Sequence, residues 1–355
     1  MTPEPSPERA ASRRTLRRSG AIALALAAVL AGALALALAS GSKGRHHRAH
    51  GALSGARTAA PAPAPAPPRS PAGLALAAPA FALRGLGDPR QDPVHVHFRH
   101  PPRAGMLFDL NSGRVLWQRN ATHRAPVASL TKMMTALLTV RSSAPSAPVL
   151  VTREAIAEGG SKIGELPLGR HVLVESLLYG LMLPSGNDAS VALAQHIAGS
   201  IAGFVARMNA EAARLGLGCT RFSSPSGFYD AGNFSCAADL AVLAHVDLAQ
   251  PRIARVTRTY RAVLPFPIKG SKLYLSNNNP LLIYGYPGTT GLKTGYTTAS
   301  GRCLVATAER HHVRLGVVLL NSTEPGNQAR KLLDHAFAAV YHLPPVAEAP
   351  MPPGA

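Results

Sequence analysis

Ala128-Ser129-Leu130-Thr131-Lys132-Met133-Met134-Thr135 carries a packing pattern and a chemical pattern in the same eight residues. Leu130, Met133, Met134, Leu137 and Leu138 fall at the i, i+3, i+4, i+7, i+8 spacing of a buried helix face, so the stretch predicts a core helix that Ser129 opens. Pro126 just upstream disfavours extending that helix backwards. Ser129 is thereby placed where backbone N–H groups lack intrahelical partners and the local dipole favours negative charge. Lys132, at i+3, lies on the same face and can accept the Ser129 proton if its amine is neutral. Neutrality needs a lowered pKa, which desolvation or a second nearby cation supplies. A serine cap followed by a solvated lysine has the same spelling, so the reading depends on its company.

Two further motifs supply that company. Residues 177–183 run apolar into Pro184-Ser185-Gly186-Asn187-Asp188, and residues 189–198 resume an alanine-rich helical pattern. Ser185 and Asn187 are therefore expected on a loop between helices. A loop held at both ends can fix a hydroxyl and an amide over a cleft, the serine relaying protons and the amide binding substrate. Lys293-Thr294-Gly295-Tyr296-Thr297 lies among Gly288, Gly291 and Gly301, ahead of the apolar run 303–308, and reads as a strand beside the site. An edge strand can pair with an extended peptide. Gly295 would let the ligand approach, Lys293 and Thr294 would hold a terminal carboxylate, and the Tyr296 N–H would face a developing oxyanion together with that of Ser129. Lys293 would also be the second cation near Lys132. Each motif alone is ordinary turn or strand surface, but the ordered trio S-x-x-K, S-x-N and K-T-G marks serine acyl transfer.

The surrounding pattern predicts an α/β (α+β) fold. Residues 106–109 and 115–117 flank an Asn-Ser-Gly turn as a hairpin; the chain then turns helical; after the K-T-G strand come two apolar strands, 303–308 and 313–320, joined around His311-His312, and a helix over 328–342. N-terminal and C-terminal strands can join one antiparallel sheet flanked by helices on both faces, with a mainly helical lobe inserted between them and the site between the lobes.

With these residues quoted, the chain resembles the low-molecular-mass penicillin-binding proteins, specifically the serine D-alanyl-D-alanine carboxypeptidases of the S11 peptidase family. The likeness covers residues 104–342 and also runs through Met208-Asn209, Leu215-Gly216-Leu217 and Ser224-Pro225-Ser226-Gly227. It implies a β-lactamase/transpeptidase-like fold, with Ser129 as acyl-ester nucleophile, Lys132 as proton acceptor and Ser185 as third catalytic residue. Asn187, Lys293, Thr294, Gly295 and Tyr296 would bind substrate. The implied reaction removes the terminal D-alanine of a peptidoglycan pentapeptide, with β-lactam antibiotics as covalent inhibitors of the same serine. Relative to better-known members, a C-terminal β-rich domain and amphipathic anchor are not expected in residues 343–355, and Cys219 and Cys236 stand where polar residues are expected.

Composition bounds the rest. Residues 1–19 carry Arg9, Arg13, Arg14, Arg17 and Arg18, and residues 20–39 form an uncharged Ala/Leu run of bilayer-spanning length. Residues 1–40 are a signal peptide, with Ala37-Leu38-Ala39 as cleavage site, or a membrane anchor; the length of the run favours the anchor. Either places the following domain outside the cytoplasm. Residues 41–103, rich in Ala, Pro, Arg and His, read as a disordered linker, residues 104–342 as the peptidase domain and 343–355 as a tail. The net charge is +19, of which residues 1–105, with 14 basic and 4 acidic side chains, hold +10. This spread without aromatic interleaving argues against nucleic acid and for anionic wall polymers or lipid headgroups. His46, His47, His50, His95, His97 and His100 have no carboxylate or helical frame, so no metal or other cofactor is expected. Cys219 and Cys236 are expected to pair in an oxidising compartment, leaving Cys303 free.

Two rival functions share these features. A class A-like β-lactamase would need S-D-N and a glutamate for deacylation, whereas the chain has Ser185-Gly186-Asn187 and no E-x-x-L-N segment after it. A non-catalytic penicillin-binding or wall-sensing module would keep the fold without turnover.

Overall fold

The computed structural model describes residues 68–346 apart from 165, 229 and 230. The expected signal or anchor, the linker up to residue 67 and the tail from 347 lie outside the described residues. Strands β1 (Ala104–Asp109) and β2 (Val115–Arg119) form the hairpin expected from the sequence. In its turn, the Asp109 carboxylate accepts hydrogen bonds from the N–H groups of Asn111 and Ser112. The chain continues through β3 (Ala125–Pro126), a 3-10 turn over Ala128–Thr131, α1 (Lys132–Ser142), β4 (Pro148–Leu150), α2 (Arg153–Ala157) and β5 (His171–Leu173). The helical lobe is completed by α3 (Val174–Met182), α4 (Asn187–Ala198) and α5 (Ile201–Arg214), then β6 (Phe234–Ser235), α6 (Ala237–Leu248) and α7 (Pro251–Thr257). A ribbon of β7 (Arg261–Pro265) and β8 (Lys272–Ser276) and the short α8 (Pro280–Ile283) lead to β9 (Thr289–Thr297), β10 (Gly301–Arg310), β11 (Val313–Ser322) and α9 (Pro325–His335).

The central sheet has the order β2-β1-β11-β10-β9 with every neighbouring pair antiparallel. The N-terminal and C-terminal strands meet as expected, Ala104 opposite Leu320 and Asp109 opposite Leu315. Side chains alternate between two cores, as a pleated strand requires. Met106, Phe108, Val305, Val318 and Leu320 face the core shared with α1, α3 and α6, whereas Leu107, Leu304, Ala306, Val317 and Leu319 face Leu332, Leu333 and Phe337 at the C-terminal end. The sheet is thus sandwiched, and nearly continuous apolar strands such as β10 and β11 follow from burial on both faces.

One expectation is corrected. Residues 68–103, read as linker, pack on the domain and cover the outer edge of β2. Val94 N–H donates to Leu116 O, Val115 N–H donates to Arg84 O, and the buried Asp92 carboxylate accepts from the Gln118 backbone N–H at 2.7 Å and from its side-chain amide at 3.0 Å. Phe81 is buried and stacks on His245 of α6 with ring centroids 3.9 Å apart. An uncovered edge strand is an aggregation template, and a segment rich in Pro and Gly covers it here, largely extended, with a single 3-10 turn at Pro89–Gln91. Such backbone has no hydrophobic period, which is why composition alone suggested a spacer. At the other end, Leu343 N–H donates to Phe337 O, and Leu343 and Val346 pack against the outer core, so the domain also runs past residue 342.

Cys219 and Cys236 form a disulfide, as expected, and Cys303 is a buried thiol outside it, directed at Ser300 O. Among the described residues no single helix is long and apolar enough to cross a membrane. Because Phe81 fills core volume, Phe81→Ala is expected to cost about 3 kcal/mol in urea unfolding. A loss below about 0.5 kcal/mol would show that residues 68–103 are only loosely attached.

Candidate functional site

Ser129 lies in the second position of the 3-10 turn that runs directly into α1, so the first α-helical residue is Lys132 and not the serine. The tighter turn matters because side chains at i and i+3 eclipse in a 3-10 helix, which brings Lys132 directly under Ser129. Between Val127 and Leu137, Ser129 is the one residue that is not buried. Its turn is clamped from outside. Asn233 donates to Thr131 Oγ1 at 2.7 Å, Thr135 donates to Pro225 O at 2.7 Å, and Gly227 sits so close that a Cβ there would lie 2.0 Å from Ala128 O. The clamp holds Ala128 at φ +48°, a conformation that non-glycine residues seldom adopt and that functional sites often store.

Lys132 is fully buried, and its Nζ lies 2.8 Å from Ser129 Oγ, 2.6 Å from Asn187 Oδ1 and 2.7 Å from Ser226 O. The Asn187 amide is oriented without ambiguity, since its Nδ2 donates to Gly159 O at 2.7 Å. Two of the three lysine partners are carbonyl oxygens and can only accept. A neutral amine has two N–H groups and one lone pair, so those carbonyls take both N–H groups and the lone pair is left for the Ser129 hydroxyl to donate to. Burial, reinforced by the charge of Lys293, pushes the Lys132 pKa well below that of an ordinary lysine, while Glu158 and Asp188 pull it partly back. The arrangement can therefore take a proton from Ser129.

Asn187 is not a loop residue as expected; it opens α4, and both ends of its amide are occupied, by Lys132 and by Gly159. In this structure it orients the lysine. Ser185 remains on the loop, at φ +70°, and its buried hydroxyl has no hydrogen-bond partner among the described residues. A buried unpaired hydroxyl costs about 1–3 kcal/mol until a ligand group supplies the bond. Gly186 leaves no room for a side chain, since a Cβ would sit 2.3 Å from Ile163 Cγ2. The loop is held from behind by Asn278, whose backbone and side chain donate to Leu183 O and Pro184 O.

The K-T-G segment lies in β9, the outermost strand of the sheet, paired to β10 on one side only. Gly295 passes the serine turn so closely that a Cβ there would be 3.1 Å from Ser129 N. Lys293 lies two residues earlier on the same strand face and is buried, with Nζ donating to Thr294 O at 2.9 Å. Desolvation lowers its pKa to about 7. Thr294 is half-buried, and Tyr296 is exposed. The three motifs thus converge from a turn, an interhelical loop and a sheet edge.

Residues 94–324 match the model of the Peptidase S11 family, described as D-alanyl-D-alanine carboxypeptidase. The chain belongs to this family. It is 36% identical over 247 residues to the D-alanyl-D-alanine carboxypeptidase DacF of Bacillus subtilis, covering 67% of this chain and 63% of that relative. It is 34% identical over 246 residues to the D-alanyl-D-alanine carboxypeptidase DacB2 of Mycobacterium tuberculosis, covering 67% and 83%. The chain thus spans just under two thirds of DacF. Among solved structures, it is similar to the Streptomyces K15 DD-transpeptidase, with a TM-score of 0.64 at 30% identity over 69% of this chain and all of that one. A D-alanyl-D-alanine carboxypeptidase from Mycobacterium tuberculosis gives 0.65 at 31% identity over 71% and 96%. The S11 fold accounts for the antiparallel sheet and the helical lobe described above.

Nothing in the sequence marks Glu158, Gly159 or Asn278 as part of the site, and Ser226 stands within a family motif with no role of its own in the sequence pattern. Ser226 and Gly159 act through backbone carbonyls, which carry no residue signature, and Asn278 acts partly through its backbone. Lysine 13Cε chemical shifts followed against pH should show two residues titrating far below ordinary lysines, Lys293 near 7 and Lys132 depressed as well. Ordinary lysine titration of both would contradict the buried-amine geometry.

Proposed function

We propose that the protein is a serine D,D-carboxypeptidase acting on the D-alanyl-D-alanine terminus of peptidoglycan stem peptides. The observation that carries this reading is the buried Lys132 Nζ, held within hydrogen-bond distance of the Ser129 hydroxyl and of two carbonyl oxygens, so that in its neutral form the lone pair is left for the hydroxyl. In the first step Ser129 Oγ attacks the carbonyl carbon of the penultimate D-alanine while Lys132 takes the hydroxyl proton. The N–H groups of Ser129 and Tyr296 stabilise the oxyanion, an effect worth about 3 kcal/mol for each donor. Lys293 and Thr294 hold the terminal carboxylate, and Asn187 keeps Lys132 in place. The peptide C–N bond breaks as the departing D-alanine nitrogen is protonated through Ser185, whose unpaired hydroxyl gains its missing partner in that complex. Water then attacks the Ser129 ester, releasing the shortened peptide and restoring the hydroxyl. A β-lactam acylates the same oxygen by opening of its ring.

The extracytoplasmic setting belongs to the same proposal. The apolar run 20–39 supports export or anchoring through the N-terminus, and a disulfide between Cys219 and Cys236 suits an oxidising compartment.

Mass spectrometry of the protein with benzylpenicillin should show a slowly released adduct that Ser129→Ala lacks, and the parent should release D-alanine from a pentapeptide. Ser129→Ala is expected to lose at least about a thousandfold in that release. Antibiotic loss without a lasting adduct would point to a β-lactamase, and an adduct without D-alanine release to a sensing module. In the pH profile of kcat/KM, activity should fall on the acid side as Lys132 gains a proton. It should fall on the alkaline side as Lys293, with a pKa of about 7 in the free protein, loses its charge. Lys293→Arg should flatten the alkaline fall because a guanidinium stays charged; an unchanged alkaline limb would assign it to another group.

A further inference from the structure

Behind Lys132 lies a carboxylate that none of the three motifs contains. Glu158 caps the C-terminal end of α2, and Ser226 Oγ donates to its Oε1 at 3.0 Å. The Ser226 hydroxyl is locked in that direction because its oxygen accepts from Phe228 N–H at 3.2 Å. The carbonyl of the same Ser226 accepts from Lys132 Nζ at 2.7 Å. The residue after Glu158, Gly159, gives its carbonyl to the amide of Asn187, the other carbonyl-bearing partner of Lys132. One short segment, Glu158-Gly159, therefore restrains both groups that hold the lysine amine. Glu158 and Ser226 lie 68 residues apart in sequence and meet only through tertiary packing.

We propose that Glu158, acting through Ser226, is a positioning residue for acyl transfer: it fixes the carbonyl cradle of Lys132 and sets the pH below which that amine stops accepting the Ser129 proton. This rests on Lys132 being the proton acceptor. The charged groups that act on Lys132 are Lys293, Glu158 and Asp188. Lys293 on β9 opposes a proton on Lys132, and the two carboxylates favour one. Asp188 is already engaged by the N–H groups of Ile163 and Ala189, with Lys162 as its nearby cation, whereas Glu158 is linked to the lysine cradle itself. Removing the Glu158 charge therefore makes Lys132 easier to deprotonate, and the acid limb of acylation moves to lower pH. The linkage needs no cofactor and no additional chemical step, since Glu158 exchanges nothing with the substrate.

The test measures Ser129 acylation by benzylpenicillin from pH 5 to 9, with the Lys132 13Cε titration in parallel, for the parent, Glu158→Gln and Ser226→Ala. Glu158→Gln keeps an oxygen for the Ser226 hydroxyl and removes the charge. Its acid limb and its Lys132 resonance should both move down by about half a pH unit. Ser226→Ala keeps the carbonyl but frees the carboxylate to turn to solvent, and should move both readouts in the same direction by less. It also carries the test should Glu158→Gln fail to fold. Profiles and resonances of both variants superimposed on the parent's would overturn the proposal. So would a Glu158→Gln protein that acylates with the parent profile yet cannot release the ester, which would make Glu158 a base for the deacylating water. A parent that is never acylated refutes the proposed function, while a Lys132 resonance shifted by Glu158→Gln would still support the link between the two residues.

Discussion

Burial of the Lys132 amine is the constraint on which the rest depends. A lysine with no exposed surface at the joint between a sheet and a helical lobe stays there because every direction around its nitrogen is occupied, by Ser129, Asn187 and Ser226. Those partners come from the serine turn, from the start of α4 and from the loop before β6. Holding them at hydrogen-bond distance of one atom requires the helices of the lobe and the clamp on Ala128 to be placed together. The low local dielectric that makes an unpaired polar group expensive also disfavours the charged form of the amine and pushes its pKa well down.

The two edges of the sheet are treated oppositely. At β2 the edge is sealed by the extended segment between residues 68 and 103, through backbone bonds and the buried Asp92–Gln118 contacts. At β9 the outer side has no strand partner among the described residues, and Gly295 brings that strand against the Ser129 turn. Sealing one edge limits indiscriminate strand pairing, and the open edge is left at the one place where chemistry is available. The strand carrying Lys293 can be outermost and still bury its lysine, because its inner face lies against the serine turn and α7 while Tyr296, three residues on, is exposed.

Backbone strain and missing side chains are concentrated around the same point. Ala128 and Ser185 hold positive φ on either side of the lysine, one before the nucleophile and one in the interhelical loop. Gly186 and Gly227 are sites where a single Cβ would collide with the supporting structure. Such conformations persist only where the surroundings over-determine them, and here the surroundings are the Asn233, Thr135 and Asn278 hydrogen bonds.

Sequence alone determined the elements with a repeating physical signature. The apolar face of α1, the hairpin at residues 106–117 and the buried strands after the K-T-G motif were all legible, as were the residues whose side chains meet at the site, whereas the pairing of Cys219 with Cys236 was a hypothesis that their 5.7 Å Cα separation decides. Ser129 and Lys132 were readable because i and i+3 are neighbours in any helical turn, whether 3-10 or α. Tertiary structure decided what has no local period. The edge-covering segment before residue 104 is extended and Pro-rich, so only its partner strand defines it. Asn187 became a holder of Lys132 because α4 starts at Asn187, two residues before the expected resumption at Ala189, with Gly159 waiting for its amide. Ser226 and Glu158 entered through a carbonyl and a hydrogen bond between residues distant in the chain, and a backbone oxygen looks the same in every residue until packing gives it a neighbour.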